Sequence, residues 1–255
     1  MDKYAIDGHK LNYHPQRIAK WLDTGDCFPI YVEISPSGKC NHRCVFCALD
    51  YMGYDNPLLD PTLLMGRLIG MKKAGVKAVM FGGEGEPLLH PNIGDLIFQA
   101  KNIGLDVSVT TNGVLLDKIL PYLKDLEWVR VSIDAGNPKT YSEIHQTKEE
   151  DFGKVIGNIT RACNLRKERG LKVSINAQML LLQKNWREVE KLAHLLNATG
   201  ADYLSFKPYS KHPDSKSIAT PIEPRELNLA DALIDNATNW VGIDLIFRRK
   251  AFGRS

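Results

Sequence analysis

The 255-residue sequence has no excess of charge of either sign: 33 Lys and Arg face 30 Asp and Glu, a formal net charge of +3. An imbalance that small and that evenly spread offers no basic surface to a nucleic acid. Nor is there a hydrophobic run of the roughly 20 residues that a membrane-spanning helix requires. The most apolar stretches, Val79–Phe81 and Met179–Leu182, are short. The start, Met1-Asp2-Lys3-Tyr4, lacks the basic and then apolar regions of a signal peptide. A disulfide framework is missing too, since five cysteines make an odd number and three of them crowd into eight positions. That crowding reads as metal ligation in a reducing compartment. With 44% hydrophobic and 25% charged residues, general disorder is excluded. The length suffices for a large core in one or two domains. The expectation is a soluble, cytoplasmic metalloprotein.

What is present is an alternation of short β-branched runs with longer helical patterns. Strands are expected at Pro29–Ser35, Ala78–Gly82, Val107–Thr111, Trp128–Asp134, Val173–Leu181 and Tyr203–Lys207. Between them, Asp60-Pro61 supplies an N-cap and a first-turn proline for a helix ending at Gly75. Further helices are expected over Pro91–Ile103, Leu115–Leu123, from Asn137-Pro138, over Asp151–Arg169, and from an Asn185 cap to Gly200. A Pro/Ser/Lys-rich loop, Pro208–Pro221, leads to a last helix over Pro224–Asn239, and Ile243–Phe247 reads as one more strand. Strand and helix in strict alternation imply parallel strands with right-handed crossovers, in an open sheet or in a closed or partly closed barrel.

The strands choose between these. Tyr31, Glu33 and Ser35; Ser108, Thr110 and Asn112; Arg130, Ser132 and Asp134; Ser174, Asn176 and Gln178; and Ser205, Lys207 and Tyr209 each recur at period two, opposite an apolar set. A parallel sheet sandwiched between helices is apolar on both faces. One polar face therefore points to a partly closed α/β barrel whose inner wall meets something polar.

The loop after the first strand reads Cys40-Asn41-His42-Arg43-Cys44-Val45-Phe46-Cys47. Structural zinc takes four ligands, usually as two separated pairs, and no second pair follows. Three thiolates suit an iron–sulfur cube with one iron left open. The Cys-x3-Cys-x2-Cys spacing, with Phe46 before the last Cys, in a repeating strand–helix chain resembles the radical S-adenosylmethionine (radical SAM) superfamily. The resemblance spans about Pro29–Lys207 and implies a partial (β/α)6 barrel, preceded by an N-terminal extension (1–28). Residues 211–255 are then a C-terminal helix and strand, read either as the end of a single-cluster enzyme or as the start of a truncated further domain. SPASM and Twitch relatives carry extra cysteines after the barrel, and none follows here. The resemblance further implies a [4Fe-4S] cluster on Cys40, Cys44 and Cys47, with S-adenosylmethionine chelating its open iron. One-electron cleavage of that cofactor gives a 5′-deoxyadenosyl radical, with flavodoxin or ferredoxin as the reductant.

Gly82-Gly83-Glu84-Gly85-Glu86-Pro87 fits neither a dinucleotide fingerprint nor a phosphate loop. It resembles the superfamily's Gly-Gly-Glu motif, whose backbone and carboxylate receive the cofactor's ammonium; either Glu84 or Glu86 fills that role. By the same resemblance Phe46 packs beside the adenine, while Thr110, Asn112, Ser132, Asp134, Asn176 and Gln178 approach the cofactor. A plain Asn112-Gly113 turn accounts for that pair equally well.

Glu33, Arg130, Asp134 and Lys207 are charges on the inner face. Either they pair with one another, as Glu33 with Arg130, or Arg130 or Lys207 binds a carboxylate or phosphate of the substrate or cofactor. Tyr209 is a candidate proton or hydrogen donor, or simply a packed aromatic. Cys163 lies on an apolar helical stripe and reads as core, Cys27 as packed, and the histidines show no ligand spacing. The functional expectation is hydrogen abstraction from a small polar metabolite, a sugar or nucleoside derivative. The alternatives are a peptide-modifying maturase, for which 28 residues before the barrel are too few to form a leader-binding domain, and a non-catalytic zinc or iron–sulfur protein.

Overall fold

A computed structural model describes residues 13–55 and 57–248. Seven strands form one sheet: β1 (Tyr31–Ile34), β2 (Ala78–Phe81), β3 (Asp106–Thr111), β4 (Trp128–Ser132), β5 (Ser174–Leu181), β6 (Tyr203–Pro208) and β7 (Asp244–Phe247). All pairings are parallel and the spatial order is the order in sequence, β1 through β7. The connecting helices are α2 (Pro61–Lys73), α3 (Ile93–Asn102), α4 (Pro138–His145), α5 (Glu150–Glu168), α6 (Val189–Thr199) and α7 (Pro224–Thr238), with α1 (Pro15–Thr24) ahead of β1. Such an α/β order, with β1 and β7 unpaired to each other, is that of a partial barrel. It holds one strand more than the six that the resemblance implies, because the run at Ile243–Phe247, read as a further strand, joins β6 in register, Leu204 opposite Leu245.

The outward set of each strand makes the core. Val107, Val109, Val129, Val131, Ile175, Ala177, Leu204 and Phe206 are all fully buried against the helices. Cys163 joins them on α5, beside Val155 and Ile159, as the apolar stripe required. The inner set is polar but not open to water throughout: Asn176 and Ser205 are each 1% exposed, so a narrow polar interior is sealed at its base.

Three local expectations change. The segment expected as a helix from Leu115 is a 3-10 helix, Leu116–Asp125, because Pro121 inside it has no N–H for an α-helical ladder. Asn185 does not cap α6, which starts behind a short 3-10 turn at Trp186–Glu188. Its buried side chain instead accepts from the Leu182 N–H and donates to the carbonyls of Asp134 and Leu180, tying β5 to the end of β4. In the N-terminal extension, α1 is set against the barrel by Arg17, whose guanidinium donates to the carbonyls of Gly75 and Phe28. Cys27 beside it is only half-buried.

Candidate functional site

In a parallel barrel every strand delivers its C-terminal end to the same rim, so loops distant in sequence converge there. The β1 loop brings Cys40, Cys44, Phe46 and Cys47 to a cavity of about 170 Å³, and the β2 loop brings Gly83, Glu84 and Glu86 to the same space. Thr110 and Asn112 arrive from β3, and Ser132 from β4. His42, Tyr54, Thr111 and His145 also line it, none of them selected from the sequence.

The glycines of the β2 loop are needed for contact with the β1 loop. A Cβ on Gly83, whose φ is +99°, would lie 1.7 Å from Ser35 Oγ, and one on Gly85 would lie 2.4 Å from the carbonyl oxygens of Ser37 and Lys39. The Glu84 N–H donates to Ser35 Oγ (3.1 Å) and the Glu86 N–H to the Lys39 carbonyl (2.8 Å), locking the two loops together. The two glutamates then differ. The Glu86 carboxylate is buried and accepts from the Thr111 hydroxyl (2.6 Å), the Asn112 N–H (2.8 Å) and the Leu88 N–H (3.0 Å). Burial raises its pKa against those three donors. Glu84 is half-exposed on the cavity wall, and its carboxylate has no partner among the described residues. Asn112 is spent on a turn, its side chain accepting from the Val114 N–H and donating to Asn41.

Cys40, Cys44 and Cys47 share the cavity, and burial lifts the pKa of Cys40 and, more strongly, of Cys44. Buried thiols of this kind lose their protons to a bound cation rather than to water. A single tetrahedral zinc with bonds of about 2.3 Å would draw its sulfurs to roughly 3.8 Å from one another. The only trio of ligand atoms within 4.8 Å among the described residues is His42, Cys44 and His145, so the three thiols stand wider apart than one small ion requires. A many-atom cluster with three thiolate attachments fits this donor set. Farther down the interior, Gln178 Oε1 and Asn176 Nδ2 are buried and lack partners, as expected of groups waiting for a polar ligand.

Other expected site residues are engaged elsewhere. Asp134 is buried outside the cavity lining; its Oδ1 accepts from the Leu180 N–H (2.6 Å), and burial raises its pKa to about 7. Glu33 and Arg130 do not pair. Glu33 accepts from the Tyr31 hydroxyl (3.0 Å), while Arg130 donates to Asn176 Oδ1 and the Tyr203 hydroxyl (3.2 Å each) and lies over the Trp128 ring. Lys207 has no hydrogen bond or salt bridge among the described residues; its pKa falls to about 8 through burial, then through Arg130 and Arg248, with Glu33 acting the other way. Tyr209 donates to Ser217 Oγ, which donates to the Val45 carbonyl. The loop after β6 thereby straps the cysteine loop, with Ser215 Oγ also bonded to the Cys47 carbonyl (2.8 Å).

Residues 34–196 match the Radical SAM superfamily. The chain is 35% identical over 161 residues to a probable GTP 3′,8-cyclase of Methanocaldococcus jannaschii, covering 58% of this chain and 52% of that one. It is 30% identical over 182 residues to the tungsten-containing aldehyde ferredoxin oxidoreductase cofactor-modifying protein of Pyrococcus furiosus, covering 68% and 49%. The chain thus spans about half the length of these curated relatives. Among solved structures, Streptococcus suis SuiB bound to its precursor peptide SuiA superposes with a TM-score of 0.74 at 17% identity, over 93% of this chain and 53% of that one. SuiB has also been solved with S-adenosylmethionine bound. Among the described residues no helix is long and apolar enough to cross a membrane. The match covers well over half of the chain, from the end of β1 into α6, and this protein is a member of the radical SAM superfamily, whose enzymes use a [4Fe-4S] cluster and S-adenosylmethionine.

Proposed function

We propose that this chain cleaves S-adenosylmethionine and abstracts hydrogen from a small, anionic, polar metabolite of the sugar or nucleoside class. Cys40, Cys44 and Cys47 hold the cluster. When bound, cluster and cofactor supply a 5′-deoxyadenosyl radical, given one electron from a reductant such as flavodoxin or ferredoxin. The chain's own residues bind, orient and shield. Glu84 presents an unpartnered carboxylate to the cofactor's ammonium, while Glu86 holds the loop that places it. Gly83, with Gly82 behind it, lets that backbone approach closely. Thr110, Ser132, Asn176 and Gln178 offer polar atoms to the cofactor, and Phe46 covers one wall beside them. This chemistry fits a cytoplasmic, reducing location and calls for no nucleic acid or membrane.

The single observation that carries the substrate class is Lys207. Its half-buried ammonium makes no hydrogen bond or salt bridge among the described residues, and Arg130 and Arg248 add positive charge around it against the one carboxylate of Glu33. An anionic group entering from the rim would meet concentrated positive charge there. The relatives named as GTP 3′,8-cyclases agree with a phosphorylated nucleoside.

The test is anaerobic. Reconstituted protein, S-adenosylmethionine and a strong reductant are combined, and 5′-deoxyadenosine is quantified by mass spectrometry, with a Cys40→Ala/Cys44→Ala/Cys47→Ala protein as control. Formation that needs the three cysteines, and deuterium captured from labelled nucleotides, support the proposal. Lys207→Met is expected to keep cofactor cleavage and lose substrate turnover. Equal loss of both sinks the substrate assignment.

A further inference from the structure

The cysteine loop is clamped to the C-terminal end of α4. The Arg43 N–H donates to the His145 carbonyl (3.1 Å) and the Val45 N–H to the Ile144 carbonyl (2.9 Å). The residue between these two anchors is Cys44, and its sulfur lies 3.3 Å from Nδ1 of His145. His145 is 1% exposed, and its ring is fixed against Tyr141 (centroids 4.3 Å apart) and edge-on to Phe46 (5.7 Å). The other ring nitrogen, Nε2, lies 3.3 Å from the Asp134 backbone nitrogen and 3.3 Å from Asp134 Oδ2. A metal-bound thiolate has no proton to donate, so a ring nitrogen 3.3 Å from the Cys44 sulfur of a loaded site meets it as a donor, with the proton on Nδ1. No sequence spacing points to this contact, because its two members lie 101 positions apart.

We propose that His145 is a positioning residue whose Nδ1–H donates to the Cys44 sulfur and raises the reduction potential of the cluster. The inference rests on the reading of Cys40, Cys44 and Cys47 as cluster ligands. An N–H directed at a thiolate withdraws electron density from it, and the added electron of the reduced cluster makes the sulfur a better acceptor, so the bond favours reduction. Cys40 receives a backbone N–H instead, from His42 at 3.4 Å, which side-chain substitution leaves in place. The Tyr54 side chain hydrogen-bonds Cys47, and His145 supplies the side-chain donor to Cys44 that a point mutation can remove.

The test uses reconstituted holoprotein, with the midpoint potential read by electron paramagnetic resonance during reductive titration and iron and sulfide counted in each sample. His145→Asn keeps an amide nitrogen two bonds from Cβ, where Nδ1 stands, and is expected to retain the wild-type midpoint. His145→Phe, at unchanged iron and sulfide content, is expected to be about tenfold harder to reduce, a shift of about 59 mV to more negative potential for a one-electron couple. An unshifted Phe variant with an intact cluster overturns the inference and leaves the cysteine assignment standing. A wild-type protein that holds no four-iron cluster overturns both. Where the Phe variant fails to fold, protein with ¹⁵N in its histidine rings decides. A ring-nitrogen coupling to the reduced cluster that persists in His42→Phe supports the bond, and its absence overturns it.

Discussion

Glu84 and Glu86 stand two positions apart in one loop, yet their substitution is expected to have opposite consequences. Replacing Glu86 by Ala removes a buried carboxylate that accepts from the Thr111 hydroxyl and from the backbone N–H groups of Asn112 and Leu88. Hydrogen bonds to a charged group contribute about 1.5–3 kcal/mol each, and a buried donor left unmet costs about 1–3 kcal/mol. Against this, the variant no longer has to bury a charge, whose cost is several kcal/mol. The Thr111 oxygen still accepts from the Gly113 N–H, but its O–H loses its acceptor together with the two backbone donors. The net expectation is a loss of about 2–5 kcal/mol, or a drop of roughly 5–15 °C in Tm for a chain of this size. Glu84→Gln changes a half-exposed group without a protein partner and should stay within about 0.5 kcal/mol of wild type. The same Glu84 variant should bind S-adenosylmethionine more weakly. Urea and thermal unfolding of the reduced protein give the first comparison, and calorimetric titration of the cofactor into the reconstituted protein gives the second. A Glu86→Ala protein as stable as wild type, or a Glu84→Gln protein that melts early while binding the cofactor normally, would show that the division between support and contact is wrong.

Three further outcomes are expected. The Asp134 carboxyl titrates near pH 7 in the fold against 3.8 in the open chain, so its contribution is fully present below pH 3.8 and is lost as pH rises through about 7. Asp134→Asn should therefore gain stability relative to wild type over that interval, on the order of 4 kcal/mol in all, and denaturation at pH 5 and pH 8 that shows no widening gap would contradict it. Lys207 loses its proton near pH 8, so KM for an anionic substrate should climb above that pH in wild type and stay flat in Lys207→Arg; parallel profiles would remove Lys207 from the binding site. Asn185→Ala breaks three hydrogen bonds, one to the end of β4 and two to the end of β5, and should cost about 2–4 kcal/mol in chemical denaturation, with cluster content per folded molecule unchanged.

The strands and the cysteine loop were legible in the sequence because they obey short-range rules: period-two patterning in Val107–Thr111 and Trp128–Asp134, and three thiols within one loop. The seventh strand was visible at Ile243–Phe247, although the superfamily resemblance suggested six. What could not be read was set by contacts across long separations. His145 is ordinary in its own neighbourhood and gains significance only from Cys44, brought beside it by the parallel order of β1 and β4. Glu84 and Glu86 were indistinguishable until Thr111 and Asn112 arrived from the next strand. A Glu33–Arg130 pair looked reasonable by charge alone. Glu33 instead bonds Tyr31 on its own strand, and Arg130 bonds Asn176 on the neighbouring one.

The strap after β6 has a bearing on how the protein matures. Ser215 and Ser217 reach the Cys47 and Val45 carbonyls across 168 and 172 residues of chain, and the Ile218 and Ala219 N–H groups bond to the Val45 carbonyl as well. A ribosome releases the three cysteines early, but the loop that holds them obtains these bonds only after six strands have been laid down. Iron delivered to a nascent or interrupted chain would find the thiols present and their scaffold absent. The cysteine loop in its bonded form therefore exists only once the strap, 168 to 172 residues farther along, has been made.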